Sequence, residues 1–289
     1  MAKSALLKSS IAKKYWMALT GLFLCLFLVG HLIGNLQLIF ADAKAFNDYA
    51  VFMTTNPAVK VLSYLTYASI IFHAIDGIWL TVQNQKARPV KYVMNKPGKN
   101  TVWASRNMAV LGTVILIFIV THMVSFWARM HFDEKMPLAS KEVSDMGGMQ
   151  GTQKVAIGVL GSPNPMFPLK EDGTIDTEIL KQYKLTQKDV TTIVDEKGEE
   201  VFKGTKDLHK ITVDFFKQPE YGLLYTILYV ISMVVLAFHL YHGFGSAFQS
   251  LGANNPKYNG FIRKFGYAFS ILVPALFAII PLYIHFLHK

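Results

Sequence analysis

The sequence predicts an all-α membrane protein: a five-transmembrane-helix bundle, one membrane domain over residues 1–289, with a long extracytoplasmic loop between helices 3 and 4. Three observations lead there. The apolar residues, 52% of the chain, gather into five blocks rather than spreading as in a soluble core. The blocks lie at about 15–40, 60–84, 107–129, 221–245 and 265–287, each of about 20 residues or more, enough for a helix to cross about 30 Å of hydrocarbon. Charge almost vanishes inside them, where Asp76 is the only acid.

The first block follows Lys3, Lys8, Lys13 and Lys14, and Ala41-Asp42-Ala43 beyond it resembles a signal-cleavage site. Its apolar run far exceeds the 7–15 residues of a signal peptide, so it reads as a retained helix. The short loop 41–59 sets Lys44 against Asp42 and Asp48. Between the third and fourth blocks, the insert 130–220 is polar, with twelve Lys and sixteen acids. Within it TTIVDEKGEEVF (191–202) predicts a hairpin around Lys197-Gly198, and GSPNP (161–165) is turn chemistry. Whether the insert is a folded cap or a looser segment is open from sequence. Pro274 and Pro281 interrupt the fifth block.

Orientation follows from charge outside the helices. The N-terminal tail, the segment 84–106 and the turn 246–264 hold thirteen basic residues and no acid. Five up-and-down helices put these three segments on one side, and the positive-inside rule makes that side cytoplasmic. The N-terminus is then cytoplasmic and the insert extracytoplasmic, in a multi-pass protein of the cell inner membrane. The basic face reads either as topology alone or as a docking surface for an acidic partner or anionic lipid. Nucleic acid is not implied, because the inner loops account for the net charge of +10. Cys25 is the only cysteine, which excludes an internal disulfide and any iron–sulfur cluster held by this chain alone.

Histidine carries the chemistry. His31, His73, His122 and His239 fall one on each of the first four helices, and His242 follows His239 by one turn. A histidine in a membrane span needs a buried partner, and the spans offer little besides Asp76, Asn35, Gln37 and hydroxyls. At about 1.5 Å per residue, His31 and His122 lie about 24 and 22 Å from the inner ends of their helices. His73 and His239 lie about 17 and 9 Å from theirs, nearer the inside. Two stacked pairs result, and two stacked histidine pairs in a bundle suit two bis-histidine b haems. Such iron has no open position, so the haem passes electrons. Other metals are less suited, since the spans lack further Cys, Asp or Glu ligands.

Glycine supports this reading at Gly77 and Gly243, each four residues after its histidine and on the same helical face. Gly30 and Gly34 flank His31. His122 has only Thr121 and Ser125 as small neighbours. The shared register Phe72-His73-x3-Gly77 and Phe238-His239-x3-Gly243 selects His239 as ligand. His242, aligned with Asp76, can still face the site as a partner to a haem propionate or as an alternative ligand.

WMALTGLFLCLFLVGH (16–31) and HLYHGFGSAFQSLG (239–252) strongly resemble the cytochrome b subunit of succinate dehydrogenase and fumarate reductase, of the single-subunit, five-helix, di-haem type. The resemblance covers the five helices and the four histidines but not the insert, which is longer than the family leads one to expect. It implies an electron-transfer and quinone-reactive subunit of respiratory complex II, serving the tricarboxylic acid cycle. A flavoprotein subunit with FAD would carry the dicarboxylate chemistry, and an iron–sulfur subunit would relay electrons, both docked on the cytoplasmic basic face. His73 and His239 would hold the proximal haem, His31 and His122 the distal one, with menaquinone as the quinone. Candidate quinone donors at the outer ends of helices 1 and 3 are Asn35, Gln37, Ser125, Arg129 and His131. Ser9, Ser10, Lys13, Lys14 and Trp16 are candidates near the propionates, and Trp16 reads equally as an interfacial anchor. Asp76 is either a proton carrier or a bond to a neighbouring helix.

The same parts serve a fumarate reductase running in the opposite direction. The absence of an acid beside His239, where Ala237 stands two before it, favours succinate oxidation. A haem-free transporter is the reading of another class. It calls for broken helices and midplane acids, which are scarce here. A haem-free anchor fits poorly with four well-placed histidines.

Overall fold

A computed structural model describes residues 10–90, 96–146, 149–159 and 161–288. Lys3, Lys8, Ser9 and Lys91, and the side chain of Ser10, lie outside the described residues. The chain is mostly helical, and five helices are long and apolar enough to span a membrane: Ile11–Phe40, Pro57–Lys86, Met108–Phe132, Gly222–Ser250 and Pro256–Phe286. They match the five apolar blocks and are called the first to fifth spans below. Helices suit these sequences because a bilayer offers no water to unpaired backbone groups, and a helix pairs them internally. Span hydroxyls follow the same logic. Ser63, Thr66, Thr81, Thr113 and Ser232 each donate to the carbonyl four residues earlier, so their protons are used within their own helices. Leu26, Ile33, Val110, Ile117 and Ile271 stand well exposed along the spans, as side chains facing lipid do.

The fifth span begins nine residues before the apolar block suggests. Asn255 caps it, accepting from the Lys257 amide at 2.9 Å, and Pro256 occupies the first turn. Both favour helix initiation in a polar stretch. Pro274 and Pro281 sit inside a continuous helix rather than breaking it.

Two compact units divide the chain. One takes the residues through Leu36, Pro57–Val120 and those from Leu224 onward; the other takes Gln37–Asn56 and Thr121–Leu223. In the first unit the spans meet through aromatic and small residues. Trp16 meets Phe72 edge-on at 6.0 Å, Phe118 meets Tyr229 at 5.0 Å, and Tyr241 stacks on Tyr267 at 4.8 Å. Gly266 lets Phe244 close against the fifth span: a Cβ there would lie 2.8 Å from the ring.

The second unit shows that the insert is folded and is not all-α. Strands β1 (Ser140–Met146), β2 (Met149–Ile157) and β3 (Met166–Pro168) form one antiparallel sheet, in that order. Strands β4 (Thr186–Gln187), β5 (Thr192–Val194) and β6 (Glu200–Lys203) form another. Leu138, Ala156, Phe167, Ile175, Leu180, Ile193 and Phe202 bury a common core between them. The expected hairpin is β5–β6. Gly198 turns it at φ +81°, a conformation glycine adopts without cost, and the Asp195 carboxylate accepts from the Lys197 and Glu199 amides. The turn at 161–165 is present too, with the Ser162 amide donating to the Val159 carbonyl at 2.9 Å.

A helix at Ala43–Thr55 occupies the loop expected between the first two spans, capped by Asp42 accepting from the Ala45 amide at 2.7 Å. It is tied to the helix Leu208–Lys217 through buried Asn47. The Asn47 amide donates to Asp207 Oδ1 at 2.8 Å, and its oxygen accepts from the His209 backbone amide at 3.0 Å. Losing a buried bond to a carboxylate costs about 1.5–3 kcal/mol. Asn47→Ala is therefore expected to loosen this unit by about 2–3 kcal/mol and to speed proteolysis within the insert. A cleavage rate equal to wild type would refute this.

Candidate cofactor site

His73 and His239 are assembled as a pair inside the first unit. His73 on the second span and His239 on the fourth place their ring centres 6.2 Å apart, with planes at 69°. His73 Nδ1 lies 3.3 Å from the Thr20 hydroxyl of the first span. His239 Nδ1 is buried with no hydrogen-bond partner among the described residues. His242 is engaged elsewhere: its Nε2 lies 3.2 Å from the Ser246 hydroxyl one turn on. Of the two histidines in the fourth span, His239 is thus the one brought to His73.

Two observations are compatible with a haem b held between these residues. Two imidazoles on opposite sides of one metal put their ring centres about 6.2 Å apart, taking about 2.0 Å per metal–nitrogen bond and about 1.1 Å from nitrogen to ring centre. The observed 6.2 Å agrees. A buried, unpartnered ring nitrogen such as His239 Nδ1 is also costly unless the ring has another role. Three-residue clusters of His, Cys, Asp or Glu suited to a bare metal ion do not occur among the described residues.

The glycines that touch the two rings are different from those the spacing singled out. A Cβ at Gly77 or Gly243 would meet only the flexible ends of Met17 and Met108, each at 3.9 Å. A Cβ on Gly21 of the first span would stand 3.2 Å from His73 Cε1, and one on Gly112 of the third span 3.7 Å from His239 Cε1. Gly30 faces open space. A signal for Gly21 and Gly112 exists in the sequence. Met17, Gly21 and His31 recur as Met108, Gly112 and His122, with identical gaps of four and ten residues. Spans one and two therefore repeat as spans three and four, each pair combining Met-x3-Gly-x9-His with Phe-His-x3-Gly.

His31 and His122 fall in different units. His31 stacks on Phe27 at 5.3 Å and meets Phe277 of the fifth span at 5.7 Å. Asn35 donates to the His31 carbonyl at 2.7 Å and lies 3.4 Å from both of its ring nitrogens, so this quinone candidate is foremost a partner of His31. His122 ends the regular part of the third span and meets Phe126 at 5.2 Å. Directly after it, Met123–Ala128 winds as a π-helix, a form frequent at functional sites that no sequence signal announced.

Three further quinone candidates lie on or just beyond this π turn, each with a local partner. Ser125 donates to the Thr121 carbonyl at 2.9 Å, Arg129 pairs with Asp133 at 3.3 Å, and His131 stacks on Trp127 with Nδ1 2.8 Å from its carbonyl. Gln37 is half-buried at the end of the first span. At the N-terminal end of the first span, Lys13 sits over the Trp79 ring at 4.5 Å, Lys14 is exposed and Trp16 packs on Phe72. Asp76 is half-buried one turn from His73. Comparison with protein-family models, curated proteins and solved structures finds no match to this chain.

Proposed function

We propose that this chain is the membrane-anchor cytochrome b subunit of a succinate:quinone oxidoreductase. His73 and His239 hold an inner b haem, and His31 and His122 hold an outer one. The observation that carries this reading is the inner pair itself: two histidines from separate spans at the spacing of axial ligands, one with a buried unpartnered nitrogen. Haem b ligated on both faces supplies one-electron transfer without oxygen binding.

The remaining roles belong to this chain's own side chains. The apolar spans exclude water from both histidine levels. Lys86, Arg88, Lys96, Lys99, Arg106, Lys257, Arg263 and Lys264 form the cytoplasmic docking face for an iron–sulfur subunit and its flavoprotein partner, which hold the clusters and FAD. The N-terminus is cytoplasmic, the orientation these charges support, and the membrane is the cell inner membrane. Near the outer histidines, Asn35, Gln37, Ser125, Arg129 and His131 are the groups that can donate to the carbonyl oxygens of menaquinone and pass protons to them.

The test is the haem content of the purified chain, by reduced-minus-oxidised and pyridine haemochrome spectra. Two b haems per chain are expected. A well-folded preparation without haem would overturn the reading and favour a transporter or plain anchor.

A further inference from the structure

The two inner histidines are held differently, and the difference traces to one position in the internal repeat. Thr20 is buried, and its hydroxyl lies 3.0 Å from the Trp16 carbonyl, 3.1 Å from the Met17 carbonyl and 3.3 Å from His73 Nδ1. A hydroxyl has one proton and two lone pairs. The proton goes to one of the nearer carbonyls of its own helix, so the oxygen is left to accept from the ring. His73 then carries its proton on Nδ1 and presents Nε2 as a bare lone pair. In the repeat, the residue that corresponds to Thr20, three after Met17 and one before Gly21, is Leu111. Leucine offers no acceptor, and His239 Nδ1 has none among the described residues.

We propose that Thr20 is the positioning residue of His73: it fixes the ring's tautomer and makes the two imidazoles of the inner pair electronically unequal. The inference rests on the haem reading above. A ligating histidine that donates its other N–H becomes a stronger electron donor at the ligating nitrogen. That favours oxidised iron and lowers the reduction potential. Met17's carbonyl, also close to this ring, is the rival acceptor.

The experiment is a potentiometric titration of the purified full-length haem-loaded chain, with low-temperature electron paramagnetic resonance, on wild type, Thr20→Val and Thr20→Ser. The inner step is identified as the one missing from His239→Ala. In Thr20→Val the inner step is expected to move to higher potential, by at least threefold in its reduction equilibrium, with its resonance shifted and the outer step unchanged. Thr20→Ser, which keeps the hydroxyl, is expected to match wild type. If Thr20→Val sheds the inner haem, retention with a wild-type step in Thr20→Ser supports the proposal and loss there overturns it. An unmoved inner step in haem-replete Thr20→Val overturns it and leaves Met17 as the acceptor. An equal shift in Thr20→Ser overturns it in favour of methyl packing. Wild type without haem overturns the functional reading and this inference together, whereas the other adverse results leave the functional reading standing.

Discussion

On the proposed di-haem reading, replacing His239 with alanine is expected to remove one of two b haems from the purified chain, and replacing His242 to remove neither. The expectation follows from where the rings go. His239 stands 6.2 Å from His73 with its Nδ1 buried and unpartnered, while His242 is turned to Ser246. A bis-histidine haem that loses one axial imidazole loses half of its protein ligation, so occupancy at that level should fall below about a tenth, in line with the 10–100-fold losses that lesser changes around metal ligands cause. The outer haem should keep its spectrum. Pyridine haemochrome counts on His239→Ala and His242→Ala decide it. Loss of a haem from His242→Ala alone would show that the other histidine is the ligand.

Enlarging Gly21 is the second change with a large expected effect. A Cβ at this position already comes within 3.2 Å of His73 Cε1, and the two methyls of valine reach further still. Close-packed interiors do not absorb such volume freely. The ring must turn away, giving up both its contact with Thr20 and its spacing to His239. Gly21→Val is therefore expected to insert in the membrane yet lose most of the inner haem. Gly30→Ala, facing open space, should keep both haems and gain about 0.5–1 kcal/mol of helix stability. Gly112→Ala, at ordinary contact distance, should be close to neutral. Full haem in Gly21→Val, with an unshifted spectrum, would show that the slot is not built around that glycine.

Much of the architecture was legible because hydrocarbon imposes a simple rule. Spanning segments must be helical, apolar and about 20 residues long, and all five stand out on that basis. Histidine placement was legible for the same reason, since few polar residues remain in the spans. Legibility failed where structure depends on polar, amphipathic sequence. The helix Ala43–Thr55, the early start of the fifth span at Pro256 and the sheets of the insert apart from the β5–β6 hairpin carry no long apolar run. Their order comes from caps, from Asn47's buried hydrogen bonds and from a small core assembled out of distant residues.

The sequence by itself determined five apolar spans, four histidines one to a helix, and three segments outside the spans that are rich in basic residues and free of acid. It also held a repeat that points to Gly21 and Gly112, although the Phe-His-x3-Gly pattern drew attention to Gly77 and Gly243 instead. The shared register had already selected His239 over His242; only the tertiary structure decided that His239 and His73 bring their rings together, that glycines on the first and third spans lie against those rings, and that Thr20 meets one imidazole. The reason is physical. Spacing along a helix says which residues share a face, but which face meets which neighbour depends on how side chains from several helices pack together, and no single stretch of sequence contains that.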